Sequence, residues 1–191
     1  MKTVVGLLRH GQTDWNIDMR LQGISDIPMN EYGRSQAEVA AKVLATQEWD
    51  KIISSPLARA IETAEIVAKH LDAPFVGHHP LLLERSFGIA EGMGYEEWKQ
   101  TYPNGINAPE AESLDELTSR CWSLLSSLAE DHKGQRVLTV SHGALIRRVI
   151  DLVSGGEFPR EGERFGNASM TVIEHVAGVW AIQSYDPKPL S

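Results

Sequence analysis

Thiols are almost absent from this 191-residue chain. Its lone cysteine, Cys121, can neither close an internal disulfide nor build a thiolate metal site, which excludes a disulfide scaffold and a zinc–cysteine module. Long apolar runs are missing too. The stretch Val4-Val5-Gly6-Leu7-Leu8 is far shorter than the ~20 residues that cross a bilayer. No basic segment leads into a long apolar one with a small-residue cleavage site, so no signal peptide is read and a cytoplasmic location is expected. Positive charge is in deficit, with a formal net charge of −8, which speaks against nucleic acid and membrane surfaces as partners. A small anionic substrate stays open, because exposed charges are screened beyond roughly 8–10 Å and a few local arginines can hold an anion on an acidic surface. The remainder is ordinary for a globular chain, 42% apolar and 23% charged, and one domain spanning 1–191 is expected.

Apolar periodicity organises the chain. Lys2–Leu8 reads as a buried strand that stops just before Arg9-His10-Gly11. A polar loop is expected to about Pro28, then a helix capped by Asn30 and running to about Ala45, with Ala37, Ala40, Ala41 and Leu44 at helical spacing. Lys51-Ile52-Ile53 reads as a second strand, Ser55-Pro56 as a helix start, and Phe75-Val76 as a short edge strand. A short helix is expected near Tyr95–Thr101. Ser113-Leu114-Asp115-Glu116 is a capping-box pattern, followed by the stripe Leu114, Leu117, Cys121, Leu124, Leu125 and Leu128, which makes Cys121 a core residue. Arg136–Val140 reads as a third buried strand, followed by Ser141-His142-Gly143 and a helix to about Val153 that Gly155-Gly156 ends. Strands near Met170–His175 and Val179–Tyr185 complete the chain. This alternation predicts an α/β fold, a three-layer α/β/α sandwich around a mostly parallel central sheet.

Two histidines occupy equivalent places, His10 and His142, each after an apolar strand and before a glycine. The C-terminal ends of strands are where open α/β sheets bind ligands. Arg9 adjoins His10, and Arg59 lies in a helix that follows the second strand, so both guanidiniums can reach the same rim. Two imidazoles and two guanidiniums suit a phosphate monoester: arginine offers bidentate donors, a neutral histidine can attack phosphorus, and a carboxylic acid can protonate the leaving alkoxide. His78-His79 suggests a metal, but neighbours on an extended segment point to opposite faces and no carboxylate partner stands out, so a surface pair is expected.

Five segments, in order, carry a family resemblance: Leu8-Arg9-His10-Gly11-Gln12-Thr13; Asn16 with Arg20-Leu21-Gln22-Gly23 and Asp26; Ser54-Ser55-Pro56-Leu57-Ala58-Arg59-Ala60 with Thr63-Ala64; Leu83-Glu84-Arg85-Ser86-Phe87-Gly88 with Glu91-Gly92; and Val140-Ser141-His142-Gly143. Together they resemble the histidine phosphatase superfamily, which includes the cofactor-dependent phosphoglycerate mutases. The resemblance implies a phosphoglycerate mutase-like fold and a mechanism. His10 would be the nucleophile that carries a phosphohistidine. Arg9, Arg59 and His142 would bind the phosphoryl oxygens. Glu84 would protonate the leaving oxygen and then activate water. Asn16, Gln22, Gly23 and Gly143 would supply or support further phosphate contacts. Arg20 would touch substrate or pair with Asp26. No metal and no cofactor is implied, since the arginines bring the positive charge.

Within that resemblance the form Arg20-Leu21-Gln22-Gly23-Ile24-Ser25-Asp26-Ile27-Pro28, and the short span from Glu84 to His142, point to the phosphatase branch. Met29-Asn30 departs from the leucine and threonine usual after that proline, although asparagine caps a helix equally well. The expected activity is metal-independent hydrolysis of a small phosphorylated metabolite, a sugar phosphate or phosphoglycerate derivative. A cofactor-dependent phosphoglycerate mutase is the alternative, and a non-catalytic phosphate-binding domain a remoter one. A lid-like insertion is expected around 87–112, and the exposed aromatics late in the chain would permit a homodimer.

Overall fold

Strand β1 (Thr3–Arg9) runs through the middle of the molecule, buried from Thr3 to Leu8 with no polar alternation, as a strand covered on both faces must be. The computed structural model describes residues 1–103 and 107–191. Beside β1 lies β4 (Arg136–Ser141), then β2 (Lys51–Ser54) and the edge strand β3 (Phe75–His78), all four parallel. On the other side of β1, β5 (Ser169–Val176) and β6 (Val179–Pro189) run antiparallel as a hairpin. Its turn, Ala177-Gly178, has positive φ at both residues, the handedness that suits the twist of paired strands. The order is β3-β2-β4-β1-β5-β6.

Side-chain alternation along β1 divides the core. Val4 and Leu8 pack with Ala41, Leu44, Ala60, Ala64 and Val67 from α2 (Glu31–Leu44) and α3 (Ala58–Ala68). Val5 and Leu7 pack with Leu117, Cys121, Leu124 and Leu128 of α5 (Leu114–Asp131) and with Leu145 and Val149 of α6 (Gly143–Ser154). The result is an α/β/α sandwich, as the sequence pattern implies.

The Asn30 cap, the Ser113–Glu116 capping box, the short helix α4 (Tyr95–Thr101) and the end of α6 at Gly155 stand where the sequence places them. Three local details differ. A four-residue helix, α1 (Asp14–Ile17), interrupts the expected loop, nucleated by reciprocal hydrogen bonds between Thr13 and Asn16. Helix α3 begins at Ala58 rather than at Ser55-Pro56, because the Ser55 N–H still pairs with the Val140 carbonyl and Asp26 accepts from the Ala58 N–H. Leu114 is half exposed in the first turn of α5, outside the buried stripe.

Candidate active site

Register brings the two histidines together. Arg9 pairs with Ser141 at the ends of β1 and β4, so the next residues, His10 and His142, emerge side by side. Their ring centroids are 5.1 Å apart. Gly11 is required beyond His10: a Cβ there would sit 2.3 Å from the Gly33 carbonyl oxygen at the start of α2. Thr63 of α3 accepts from the Gly11 N–H and donates to the Arg59 carbonyl, joining the loop after β1 to the helix that bears Arg59.

The hydrogen bonds fix both tautomers. His10 Nδ1 lies 2.7 Å from the Gly11 carbonyl oxygen, which only accepts, so Nδ1 carries the proton and Nε2 keeps its lone pair. Arg59 Nε, always a donor, points at His142 Nδ1 from 3.2 Å, so the His142 proton is on Nε2 and is donated to Ser55 Oγ at 2.7 Å. Both imidazoles are held well below their ordinary pKa, first by burial and then by the charge of Arg59, with Arg9 adding to it. They are therefore neutral near pH 7.

Arg59 is completely buried. Its Nη1 donates to the Ser25 carbonyl and its Nη2 to the Gly23 carbonyl, each at 2.8 Å. With Nε on His142, three of five N–H groups are used and two remain. Burial pulls its pKa down to about 10, partly offset by Glu84 and Asp26. Gly23 has φ +53°, and a Cβ there would meet Glu91 Oε1 at 2.0 Å. That carboxylate in turn accepts from the Ile24, Ser25 and Phe87 N–H groups and so holds the loop that receives Arg59. Arg9 donates from Nη1 to the Phe165 carbonyl, while its Nε is buried without a partner among the described residues. Burial lowers its pKa and the charge of Glu84 raises it.

Glu84 is buried at the N-terminus of α6, where His142 provides no side-chain cap. Its Oε2 accepts from the Ala144 N–H at 3.0 Å; its Oε1 accepts from Leu145 at 3.0 Å and Arg85 at 2.8 Å. A carboxylate at a helix N-terminus satisfies free donors and meets the positive end of the dipole. Arg120 of α5 delivers it, donating to the Leu81 and Leu83 carbonyls, and the Ser141 hydroxyl donates to Leu82 between them.

A cavity of about 420 Å³ reaches the edge of this group at Arg9, Asn16, Gly143 and Ala144 and is lined further out by aromatic and arginine side chains. The Asn16 amide oxygen accepts from Thr13 and from Asn167, which also donates to the His10 carbonyl, and the Asn16 NH₂ has no partner among the described residues. Among residues expected at the site, His10, His142, Arg9, Arg59, Glu84 and Gly143 form one group and Asn16 lies at its edge. Gln22 is buried with its amide oxygen unpartnered among the described residues, and Gly23 presents its carbonyl to Arg59. Arg20 does not pair with Asp26, which caps α3; it lies 3.5 Å from Asp18, donates to the Gly92 carbonyl and lines the cavity. His78 and His79 contact separate hydroxyls, Ser54 and Ser127. Residues without a sequence signal include Asn167, the Phe165 carbonyl and Arg120. Ser55 stands in the family-like segment Ser54–Ala60, yet its role as partner of His142 depends on the pairing of β2 with β4.

Fold and site together place two neutral imidazoles and two guanidiniums at the strand ends of an α/β sheet, a donor set suited to an anion. The model of the histidine phosphatase superfamily (branch 1) matches residues 5–187, and the chain belongs to that family. It is 39% identical to the uncharacterized phosphatase PhoE of Bacillus subtilis, over 96% of this chain and 94% of that protein. The probable phosphoglycerate mutase GpmB of Yersinia pestis is 33% identical, over 94% and 91%. Among solved structures, a mycobacterial glucosyl-3-phosphoglycerate phosphatase in complex with VO3 is similar, with a TM-score of 0.83, 27% identity and coverage of 95% of this chain and 98% of the other.

Proposed function

We propose that this chain is a metal-independent phosphomonoesterase that works through a phosphohistidine on His10. The observation that carries the reading is the His10 tautomer: Nδ1 is tied to the Gly11 carbonyl, which leaves the Nε2 lone pair beside two guanidiniums with N–H groups to spare.

In this reading the phosphoryl group of a small phosphorylated metabolite lies against the remaining N–H groups of Arg59 and Arg9, with Asn16 and Gly143 at its edge. His142, oriented by Arg59 and Ser55, is the neutral partner. His10 Nε2 attacks phosphorus as the bond to the leaving oxygen breaks, and Glu84 passes that oxygen the proton brought by the bound phosphate monoester monoanion. Glu84, again a carboxylate, takes a proton from water as the water attacks phosphorus and the P–N bond breaks, and that proton leaves with the phosphate, which returns His10 and Glu84 to their starting forms. The guanidiniums stabilise the charge on the equatorial oxygens, the task a cation performs in other phosphoryl transfers, so no metal is required. The segment 87–112, of which 104–106 lie outside the described residues, acts as a lid that reads the leaving group, and the enzyme works in the cytoplasm.

The test is phosphate release in EDTA from a panel of sugar phosphates, 3-phosphoglycerate and glucosyl-3-phosphoglycerate, with His10→Ala as the blank. Release that survives EDTA and disappears in the variant is expected. No release, with isomerisation of 3-phosphoglycerate instead, would make the chain a mutase.

A further inference from the structure

The cavity in front of the site has a charge pattern that the phosphoryl group does not use. Five arginines line it, Arg9, Arg20, Arg85, Arg147 and Arg164, and no Asp or Glu does, in a chain of net charge −8. Concentrating cationic side chains in one concave surface of an acidic protein costs repulsion, which an anionic ligand relieves.

The five are not equally free. Arg9 belongs to the phosphoryl site. Arg20 lies beside Asp18 at 3.5 Å and donates to the Gly92 carbonyl. Arg85 donates from Nε to the Glu112 carbonyl at 2.9 Å and from Nη2 to Asn107 Oδ1 at 2.7 Å. Among the described residues Arg147 has one hydrogen bond, to the Glu163 carbonyl, and no carboxylate within ion-pair distance. The Glu163 carboxylate is turned elsewhere, accepting from the Tyr185 hydroxyl and the Arg160 N–H. Arg164 has neither a hydrogen bond nor an ion pair among the described residues. Each of these two guanidiniums lies over an aromatic ring, Arg147 at 5.4 Å from the Phe165 centroid and Arg164 at 5.5 Å from that of Tyr95. An aromatic face orients a guanidinium while leaving its N–H edge free for an oxyanion. Arg147 follows Gly143 by one helical turn on α6, which puts its backbone roughly 6 Å along the axis from the phosphoryl site.

Resting on the phosphomonoesterase reading, we propose that the leaving group taken by this site carries an anionic group of its own, a carboxylate or a second phosphate, and that Arg147 and Arg164 bind it.

The experiment measures kcat/KM on matched esters in EDTA. In the carboxylate arm, 4-(phosphooxy)phenylacetate is compared with 4-methylphenyl phosphate, whose leaving group has similar acidity. In the phosphate arm, propane-1,3-diol bisphosphate is compared with 3-hydroxypropyl phosphate. The wild-type protein should favour the anionic member of at least one pair by about ten- to hundredfold, the range of a charge-assisted hydrogen bond, chiefly through KM. The favoured arm names the anion. Arg147→Gln and Arg164→Gln should bring that ratio toward one, and Arg147→Lys should keep part of it. The neutral ester reports on each variant whether the site is still folded. If Arg147→Gln loses all activity, Arg164→Gln and Arg147→Lys decide. Ratios near one in the wild type, or ratios that survive both glutamine variants, would overturn this inference and leave the phosphatase reading intact. No His10-dependent release from any ester would instead overturn that reading.

Discussion

Arg59 and His142 hold each other: the guanidinium Nε–H points at the imidazole Nδ1 across 3.2 Å, on a side chain that is completely buried. Through that one contact the helix after β2 sets the tautomer of the residue after β4. The other two nitrogens of the guanidinium grip the Gly23 and Ser25 carbonyls, so the residue braces the loop, and in the proposed function it also binds the phosphoryl group.

Arg59→Lys keeps the charge but loses the fork. The Gly23 and Ser25 carbonyls and His142 Nδ1 cannot all be served by one ammonium group. A fall in kcat/KM of about 10²–10³, the cost of removing one oxyanion donor, is expected in steady-state assays. An Arg59→Lys enzyme with near wild-type turnover would count against the assigned role.

Glu84→Gln separates two jobs. As the acid, Glu84 matters most for alkyl esters, where its loss should slow turnover by about 10²–10⁴, and least for 4-nitrophenyl phosphate, whose leaving group scarcely needs a proton. As the cap of α6 it contributes about 1 kcal/mol, read from urea unfolding. A deficit equal on every ester would remove the acid role and leave only the cap.

Stability should depend on pH below neutrality. His10 and His142 are held well below the ordinary imidazole value by burial and by neighbouring arginines. The unfolded chain takes up these two protons below about pH 6.5 while the folded chain does not. Stability is therefore full above that pH and falls as the pH drops, by about 1.4 kcal/mol per unit for each histidine until its folded-state pKa is reached. Urea unfolding between pH 5 and 8 should show this slope, and His10→Asn should remove one proton from it. A flat profile would contradict the neutral, buried state of both rings.

Cys121 should be inert. It is completely buried on α5, and desolvation pushes its thiol up to about 12. A thiol reagent at pH 8 should label the native protein only through opening, and label it fully in denaturant. Rapid native labelling would mean that α5 does not pack on the sheet as described.

Strands β1, β2 and β4, helix α5 and the pairing of His10 with His142 are legible in the sequence because each rests on local pattern: unbroken apolar strands, a capping box, and two histidine–glycine steps at strand ends. Other features depend on contacts distant in sequence. The start of α3 is set by Asp26 and by the continued pairing of Ser55 with Val140. The exposure of Leu114 follows from where α5 meets the sheet, which helical spacing alone does not fix. Asp26, with Arg20 the nearest cation in sequence, was open to an ion pair, but the Ala58 N–H is the donor it meets. Asn167 reaches the His10 carbonyl from the far end of the chain, and no local pattern marks it.

The most direct test of the central claim is to quench the enzyme during turnover in EDTA and locate the phosphoryl group by mass spectrometry under alkaline conditions, which preserve phosphohistidine. The account predicts a phosphoryl group on His10 that decays as inorganic phosphate appears and is absent from His10→Ala. Full turnover with no phosphoenzyme in either protein, or a phosphoryl group on another residue, would contradict it.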